Sequence, residues 1–165
     1  MEQSKGEYLE ATLAQMCVCK APVGLKAERL GSGVGVMLWD TYTGIGGLVE
    51  IMQPQSKGTE SVREVGMYAD TGIAELIRRM ELLGAKRKHM LAKIAGGATL
   101  NEFVHISDMG QIGLQNVEAV RRTLEAYDIF ISGEDVGMEE SRTIYFQPAD
   151  GICTVSVPGM QLREI

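Results

Sequence analysis

Between residues 70 and 83 the apolar positions recur with a helical period. Ile73, Leu76, Ile77, Met80 and Leu83 fall at i, i+3, i+4, i+7 and i+10, while Glu75, Arg78, Arg79 and Glu81 occupy the other side. This pattern predicts an amphipathic helix, with Asp70 or Thr71 able to cap its start and Gly84 able to close it. A weaker stripe of Val117, Val120, Leu124 and Tyr127 predicts a second helix over 115–127, with Asn116 as its candidate cap. Each helix has one apolar face, as a helix laid on a sheet requires.

Around them lie short runs of β-branched and large apolar residues, bounded by Gly, Asp or Pro. These runs predict strands near 13–20, 33–39, 45–52, 89–94, 129–133, 143–147 and 152–157. TYTG at 41–44 and PADG at 148–151 supply the residues of hairpin turns. Strands crowd both ends of the chain, with one helix in the middle and one before the final strands. That order predicts an α+β fold with a mixed sheet rather than a strictly alternating doubly wound one.

Composition narrows the class. The chain has 165 residues, which favours a single domain over 1–165, with residues 1–12 as an accessory or poorly ordered N-terminal extension. Hydrophobic residues at 45% and charged residues at 23% exclude disorder as the dominant state. The net charge of -6 argues against a nucleic-acid partner and against an anionic membrane surface. The longest uncharged stretch, 151–162, falls short of the roughly 20 residues that span a bilayer. The polar start MEQSKGEYLE is unlike a secretory signal, so a cytoplasmic protein with no membrane insertion is expected. Cys17, Cys19 and Cys153 are an odd set, expected to be reduced.

Three segments could carry chemistry. LGSGVGVMLWD at 30–40 lacks the spacing of a phosphate cradle and reads most simply as a tight turn leading into a buried strand. GIGGLVEIMQP at 44–54 sets Glu50 in an otherwise apolar strand, where it faces either solvent, as an edge residue would, or a cleft. In KIAGGATL at 93–100, Gly96 and Gly97 permit a close backbone approach or simply make a turn.

Taken in order, these and three further segments resemble the chemoreceptor glutamine deamidase family called CheD. LGSGVGV is similar to that family's LGSCVGV, GGLVEIMQP to its GGLLHIMLP, and YADTGI to its YADTGI. LGAKRKHMLAKIAGGA resembles its LGAK followed by AKIAGGA, IGLQNVEAV its IGxxNVEAV, and GEDVG followed by SRTIYF its AEDTGG followed by GRTVEF. The resemblance implies an α/β sandwich type of fold, with mixed sheets packed together and helices outside. It also implies hydrolysis of glutamine side-chain amides on methyl-accepting chemoreceptors, and in some members of receptor methyl esters. The implied machinery is a Cys thiolate activated by a His, with a Thr helping to orient the site. The implied partners are chemoreceptors and a CheC-type phosphatase, and no cofactor or metal is implied.

The chain departs from this pattern where the chemistry would be. Gly33 stands at the family's Cys, Glu50 at its His and Ala27 at its Thr, with Gly31 and Ser32 lining the cleft. A glycine has nothing to attack with, and an anionic Glu50 would raise a neighbouring thiol's pKa rather than lower it. Ser32 and Ser56 have no histidine near them in sequence, and the only histidines, His89 and His105, fall outside the implied catalytic pair. Cys17 and Cys19, at i and i+2, would share one strand face, either as small core residues, as a relocated nucleophile or, with Glu50, as a metal site. The ten methionines read as core filling. The expectation is a CheD-like protein that binds and modulates without catalysis. The alternative is an active deamidase using other residues or carrying an engineered Gly33, which leaves Glu50 and Ala27 unexplained.

Overall fold

The structure is a computed structural model describing residues 6–13, 15–99 and 107–165, the side chains of 107–110 excepted. Its strands are β1 (Tyr8–Glu10), β2 (Cys17–Lys20), β3 (Gly24–Leu30), β4 (Val34–Asp40), β5 (Ile45–Ile51), β6 (Met90–Gly96), β7 (Phe130–Val136), β8 (Arg142–Gln147), β9 (Ile152–Ser156) and β10 (Arg163–Glu164). Helices α1 (Ala69–Leu82) and α2 (Ser107–Ala126) flank β6 in the chain.

The strands form two five-stranded sheets, ordered β1-β3-β8-β9-β10 and β2-β5-β4-β6-β7. Each is mixed, because β1 runs parallel to β3 and β7 parallel to β6 while the other pairs are antiparallel. Strand β4 explains the layering: all seven of its residues are buried, as they must be in a central strand covered on both faces. Val34, Val36 and Leu38 join the helix side, packing with Ile73, Leu76 and Met80 of α1 and Val117, Val120 and Leu124 of α2. Met37 and Trp39 point the other way, into a layer shared with Leu25, Ala27, Ile144 and Phe146 of the first sheet. The result is an α+β sandwich with both helices on one outer face. Each aliphatic side chain so buried stabilises by about 1.5–3 kcal/mol, which is why these periodic positions decide the architecture.

Several sequence expectations change. Strand β2 begins at Cys17, not at residue 13, where Leu13 is exposed. Tyr8–Glu10, inside the expected N-terminal extension, pairs with β3. Helix α1 starts after Tyr68 with no side-chain cap. Asp70 instead accepts from Ser56 N–H (3.0 Å) and Ser56 Oγ–H (2.6 Å), and Thr71 Oγ donates to Val65 O (2.7 Å). Helix α2 begins at Ser107, so Asn116 lies in its middle and is not a cap.

Both predicted hairpin turns are present, between β4 and β5 and between β8 and β9. The first is tied down by Asp40, fully buried at the end of β4. Its carboxylate accepts the N–H groups of Tyr42 (2.8 Å), Thr43 (3.1 Å) and Lys86 (2.8 Å). Burial acts to raise this carboxyl's pKa, and the three N–H donors outweigh it, holding the group below the usual carboxylate range.

Candidate functional site

Because β4 and β5 pair antiparallel, the beginning of one lies beside the end of the other: Val34 faces Ile51, and Gly35 faces Glu50. Gly33 immediately precedes β4, and Met52 immediately follows β5. Alternation sends Glu50 and Met52 to the same side as Leu48, toward the layer between the sheets. A Cβ built on Gly33 would stand 3.0 Å from Glu50 Oε1, 3.3 Å from Glu50 Cγ and 2.7 Å from Met52 Sδ. The structure therefore brings Gly33 and Glu50 together, and the glutamate and methionine side chains take the space a side chain at 33 would need.

Strand β5 lies between β2 and β4, but β2 pairs only with Ile45–Leu48, so at Glu50 the strand has β4 on one side and no paired residue of β2 on the other. Glu50 is half-buried, and burial pushes its carboxyl above the ordinary value. Among the described residues its carboxyl group makes no hydrogen bond and no ion pair. An acid in this condition is a poor activator of a thiol, since it offers either a like charge or a neutral group.

The backbone around Gly33 is held from two directions. Gly97 N–H donates to Gly33 O (2.9 Å) and Ala98 N–H to Gly31 O (2.8 Å). The approach requires glycine at 96, where φ is +111° and a Cβ would collide with Gly33 O. From the helix side comes Asn116, fully buried, whose Nδ2 donates to Ser32 O and Met52 O, both at 3.1 Å. Its Oδ1 has no partner among the described residues. Asn116 thus ties the segment before β4 to the residue after β5, keeping half-buried Gly31 and Ser32 beside Gly33. Sequence reasoning missed this role, although an Asn one turn before Val120 on an apolar stripe was its signal. Asn116→Ala is expected to cost about 1–3 kcal/mol, because two carbonyls lose their donor. It should also accelerate hydrogen exchange at the Gly97 and Ala98 amides. Lower stability with unchanged exchange there would mean that Asn116 supports only the core.

Ala27, fully buried in β3, sits in the intersheet layer opposite Ile144. Ile144 is also the side chain that a Cβ on Gly35 would meet, at 2.9 Å. The position is apolar throughout and supplies no hydroxyl.

No other group takes over as nucleophile among the described residues. Cys17 and Cys19 lie on β2, opposite Leu48 and Gly46, with their Sγ atoms donating to Glu10 O (3.0 Å) and Val23 O (3.3 Å). Burial, and then the charge of Glu10, raises Cys17, while Cys19 is pushed up to about 11 by burial and by Cys17. Burial pushes Cys153 up to about 12. All three are protonated thiols at neutral pH, because burial outweighs the opposing pull of Arg79 on Cys17 and of Lys93 on Cys153. His89 stacks on Tyr42 (4.1 Å between centroids) and stands 3.9 Å from Asp40, at the opposite end of β4 from Gly33. His105 lies outside the described residues. Ser56 is engaged with Asp70, without a histidine. Among the described residues no three His, Cys, Asp or Glu gather into a metal-binding group, and no helix is long and apolar enough to cross a membrane. A groove of about 690 Å³, lined by Pro54, Asp70, Gln115, Arg122 and Tyr127 among others, opens between α2 and the start of α1, and neither Gly33 nor Glu50 lines it.

Comparison with known proteins agrees with this architecture. The family model described as CheD chemotactic sensory transduction matches residues 52–157, a span that begins just after Glu50. A protein of Lachnoclostridium phytofermentans named "Probable chemoreceptor glutamine deamidase CheD" is 38% identical over 160 residues, covering 97% of this chain and 99% of that protein. The "Chemoreceptor glutamine deamidase CheD" of Halalkalibacterium halodurans is 38% identical over 143 residues, covering 86% and 88%. A Clostridium novyi protein bearing the former name is 37% identical over 153 residues, covering 93% and 94%. With likeness running through both sheets and both helices, this chain belongs to the CheD family.

Proposed function

We propose that this chain acts in chemotaxis without catalysis. It binds chemoreceptors, or a CheC-type phosphatase, through the surface where its relatives would place a catalytic site, and it modulates adaptation by occupancy. Its relatives are named for deamidating chemoreceptor glutamines; the binding half of that description is carried over here, and the hydrolytic half is not. The observation behind this reading is the juxtaposition of Gly33 and Glu50, with Glu50 Oε1 3.0 Å from where a Cβ at 33 would stand: no nucleophile, a carboxyl group in place of an imidazole, and an intact scaffold around both. Covalent acyl transfer from an amide needs an attacking side-chain atom with a base to activate it, and Gly33 supplies no such atom.

The test is to incubate the purified chain with a chemoreceptor cytoplasmic fragment, and separately with a CheC-type phosphatase, measuring complex formation and ammonia release together. Saturable binding with ammonia at background is expected. Turnover that survives extensive purification would overturn the reading, as would failure to bind either protein.

A further inference from the structure

At the end of β4 remote from Gly33, three chain segments meet on Asp40, and we propose that the platform they form docks an acidic amphipathic segment of a protein partner, one that sets carboxylates beside large apolar side chains. This surface is separate from the one around Gly33 and does not depend on how that site is used. The fully buried Asp40 carboxylate accepts N–H groups from Tyr42 and Thr43 of the β4–β5 turn and from Lys86 of the loop after α1. Thr41 fastens the same junction from the other side, donating through its N–H (3.1 Å) and its Oγ–H (3.2 Å) to His89 O. Ala85 N–H donates to Met80 O (3.1 Å), which folds the loop against the last turn of α1. The side chains of this end therefore stand on a fixed backbone, so little freedom is lost when something docks on them.

What the platform shows to solvent runs against the net charge of -6. Lys86, Arg87 and Lys88 are consecutive and all exposed, and among the described residues none of their side chains meets an acid. Beside them Tyr42 is 79% exposed, and Leu82 and Leu83 at the end of α1 are 73% and 52% exposed. Leu83 continues the apolar stripe of α1, yet it stays in solvent while Ile73, Leu76, Ile77 and Met80 are buried. Single exposed apolar residues are ordinary, but three on one rigid end beside three unpaired cations have the make-up of an interface. Two rings there are already fixed, since His89 stacks on Tyr42 (4.1 Å between centroids) and Arg87 lies over Tyr127 (5.7 Å). Charge complementarity selects the occupant: the cations call for carboxylates, and the leucines and Tyr42 for apolar groups between them. An anionic lipid surface would also meet the cations, but it would press continuous negative charge on exposed Glu81 and Asp128, next in the chain to Leu82 and Tyr127, and on the whole acidic molecule. A protein segment sets its carboxylates only opposite the cations, and the observations favour it.

The probe is a synthetic helical peptide with a stripe of Leu flanked by Glu at i and i+4, alongside a counterpart in which every Glu is Gln, each titrated against the whole protein by fluorescence anisotropy. The Glu peptide is expected to bind at least about tenfold more tightly than the Gln peptide, and to weaken as salt is raised. Lys86→Glu with Lys88→Glu should weaken it by about tenfold or more, and Leu82→Ser with Leu83→Ser should do the same at low and high salt alike. Lys86 holds Asp40 through its backbone N–H, so changing its side chain leaves the platform locked. Lys57→Glu with Arg63→Glu, an equal change of net charge at exposed positions before α1, should leave the affinity within about threefold. Equal binding of the two peptides overturns the inference, and so does an equal loss in the Lys57 and Arg63 variant, which would mean attraction to net charge alone. Failure of the Glu peptide to bind overturns it too, and capture of the chain by phosphatidylglycerol vesicles in its place would make the platform a lipid-binding one.

Discussion

Receptor-glutamine deamidation is expected to stay at the uncatalysed background for this chain, and Gly33→Cys alone is expected to leave it there. Removing one member of a nucleophile and base unit typically forfeits nearly all the acceleration that the unit provides, on the order of 10⁴ to 10⁶ in rate. The single replacement restores only the sulfur, and restores it badly. Its Cβ would lie 2.7 Å from Met52 Sδ and 3.0 Å from Glu50 Oε1, so the methionine must swing aside and the thiol must ionise beside a carboxyl group. Ionised Glu50 repels the forming thiolate, and burial penalises it further, so the thiol titrates above its ordinary range. Glu50→His in the same background reverses the sign of that interaction and supplies a proton donor for ammonia, and Ala27→Thr adds a hydroxyl to a wholly apolar position. The double variant should therefore release ammonia measurably while the single variant does not. The check is thiol alkylation against pH in both variants, followed by deamidation of a receptor fragment. If Gly33→Cys alone matches the double variant, Glu50 does not stand at the base position and the assignment of the site fails.

The second large effect belongs to Asp135, at the far end of β7. Arg142, whose side chain is 1% exposed, donates to Asp135 Oδ1 (2.6 Å), to the Asp135 carbonyl (2.7 Å) and to Gly137 O. Arg163 of β10 reaches the same carboxylate through Nε (2.8 Å) and Nη2 (3.1 Å), so one acid joins the edges of the two sheets. Asp135→Ala leaves the Arg142 guanidinium buried without its counter-charge, a loss of about 3–5 kcal/mol. At about 2–4 °C per kcal/mol for a chain of this size, the melting temperature should fall by roughly 6–20 °C. Asp135→Asn keeps the shape but not the charge and should lose less. Burial acts to raise this carboxyl and the two arginines outweigh it, so its folded value lies below the unfolded one. Its contribution is therefore complete above the unfolded value, near pH 3.9, and is lost as pH falls through the lower folded value. Melts at several pH values test both points: the acid-side loss of the unmodified protein should be shallower in Asp135→Ala. A cost under about 1 kcal/mol at pH 7 would show that Arg142 finds adequate partners in backbone carbonyls alone.

The parts of this protein that could be read from the sequence are those decided by a residue's own strand or helix. The stripe Ile73, Leu76, Ile77 and Met80 needed only the helical period to reveal α1, and the unbroken apolar run of β4 announced a strand covered on both faces. The absence of a sulfur at 33 and of an imidazole at 50 was equally plain, because a missing functional group requires no geometry. Strand β3 was invisible for the opposite reason. Lys26, Glu28 and Arg29 dilute its apolar pattern, Arg29 breaks the alternation, and a bulge between Ala27 and Leu30, with Arg29 at φ +55°, returns Leu30 to the core. Strands β1 and β10, three and two residues long, exist only because a neighbouring strand offers them hydrogen bonds.

The resemblance already set Glu50 in one site with Gly33, and the tertiary structure decided how they meet and what else stands there. Antiparallel pairing of β4 with β5 placed Glu50 and Met52 there, and Asn116 reached carbonyls 84 and 64 positions away in the chain. Hydrophobic periodicity records which face of an element is buried, whereas a contact between elements depends on register and layer order. Those are settled only when the sheets pack, and so the same sequence that declared its lost chemistry and set Glu50 beside it gave no sign of Met52 at Gly33 or of Asn116 beneath both.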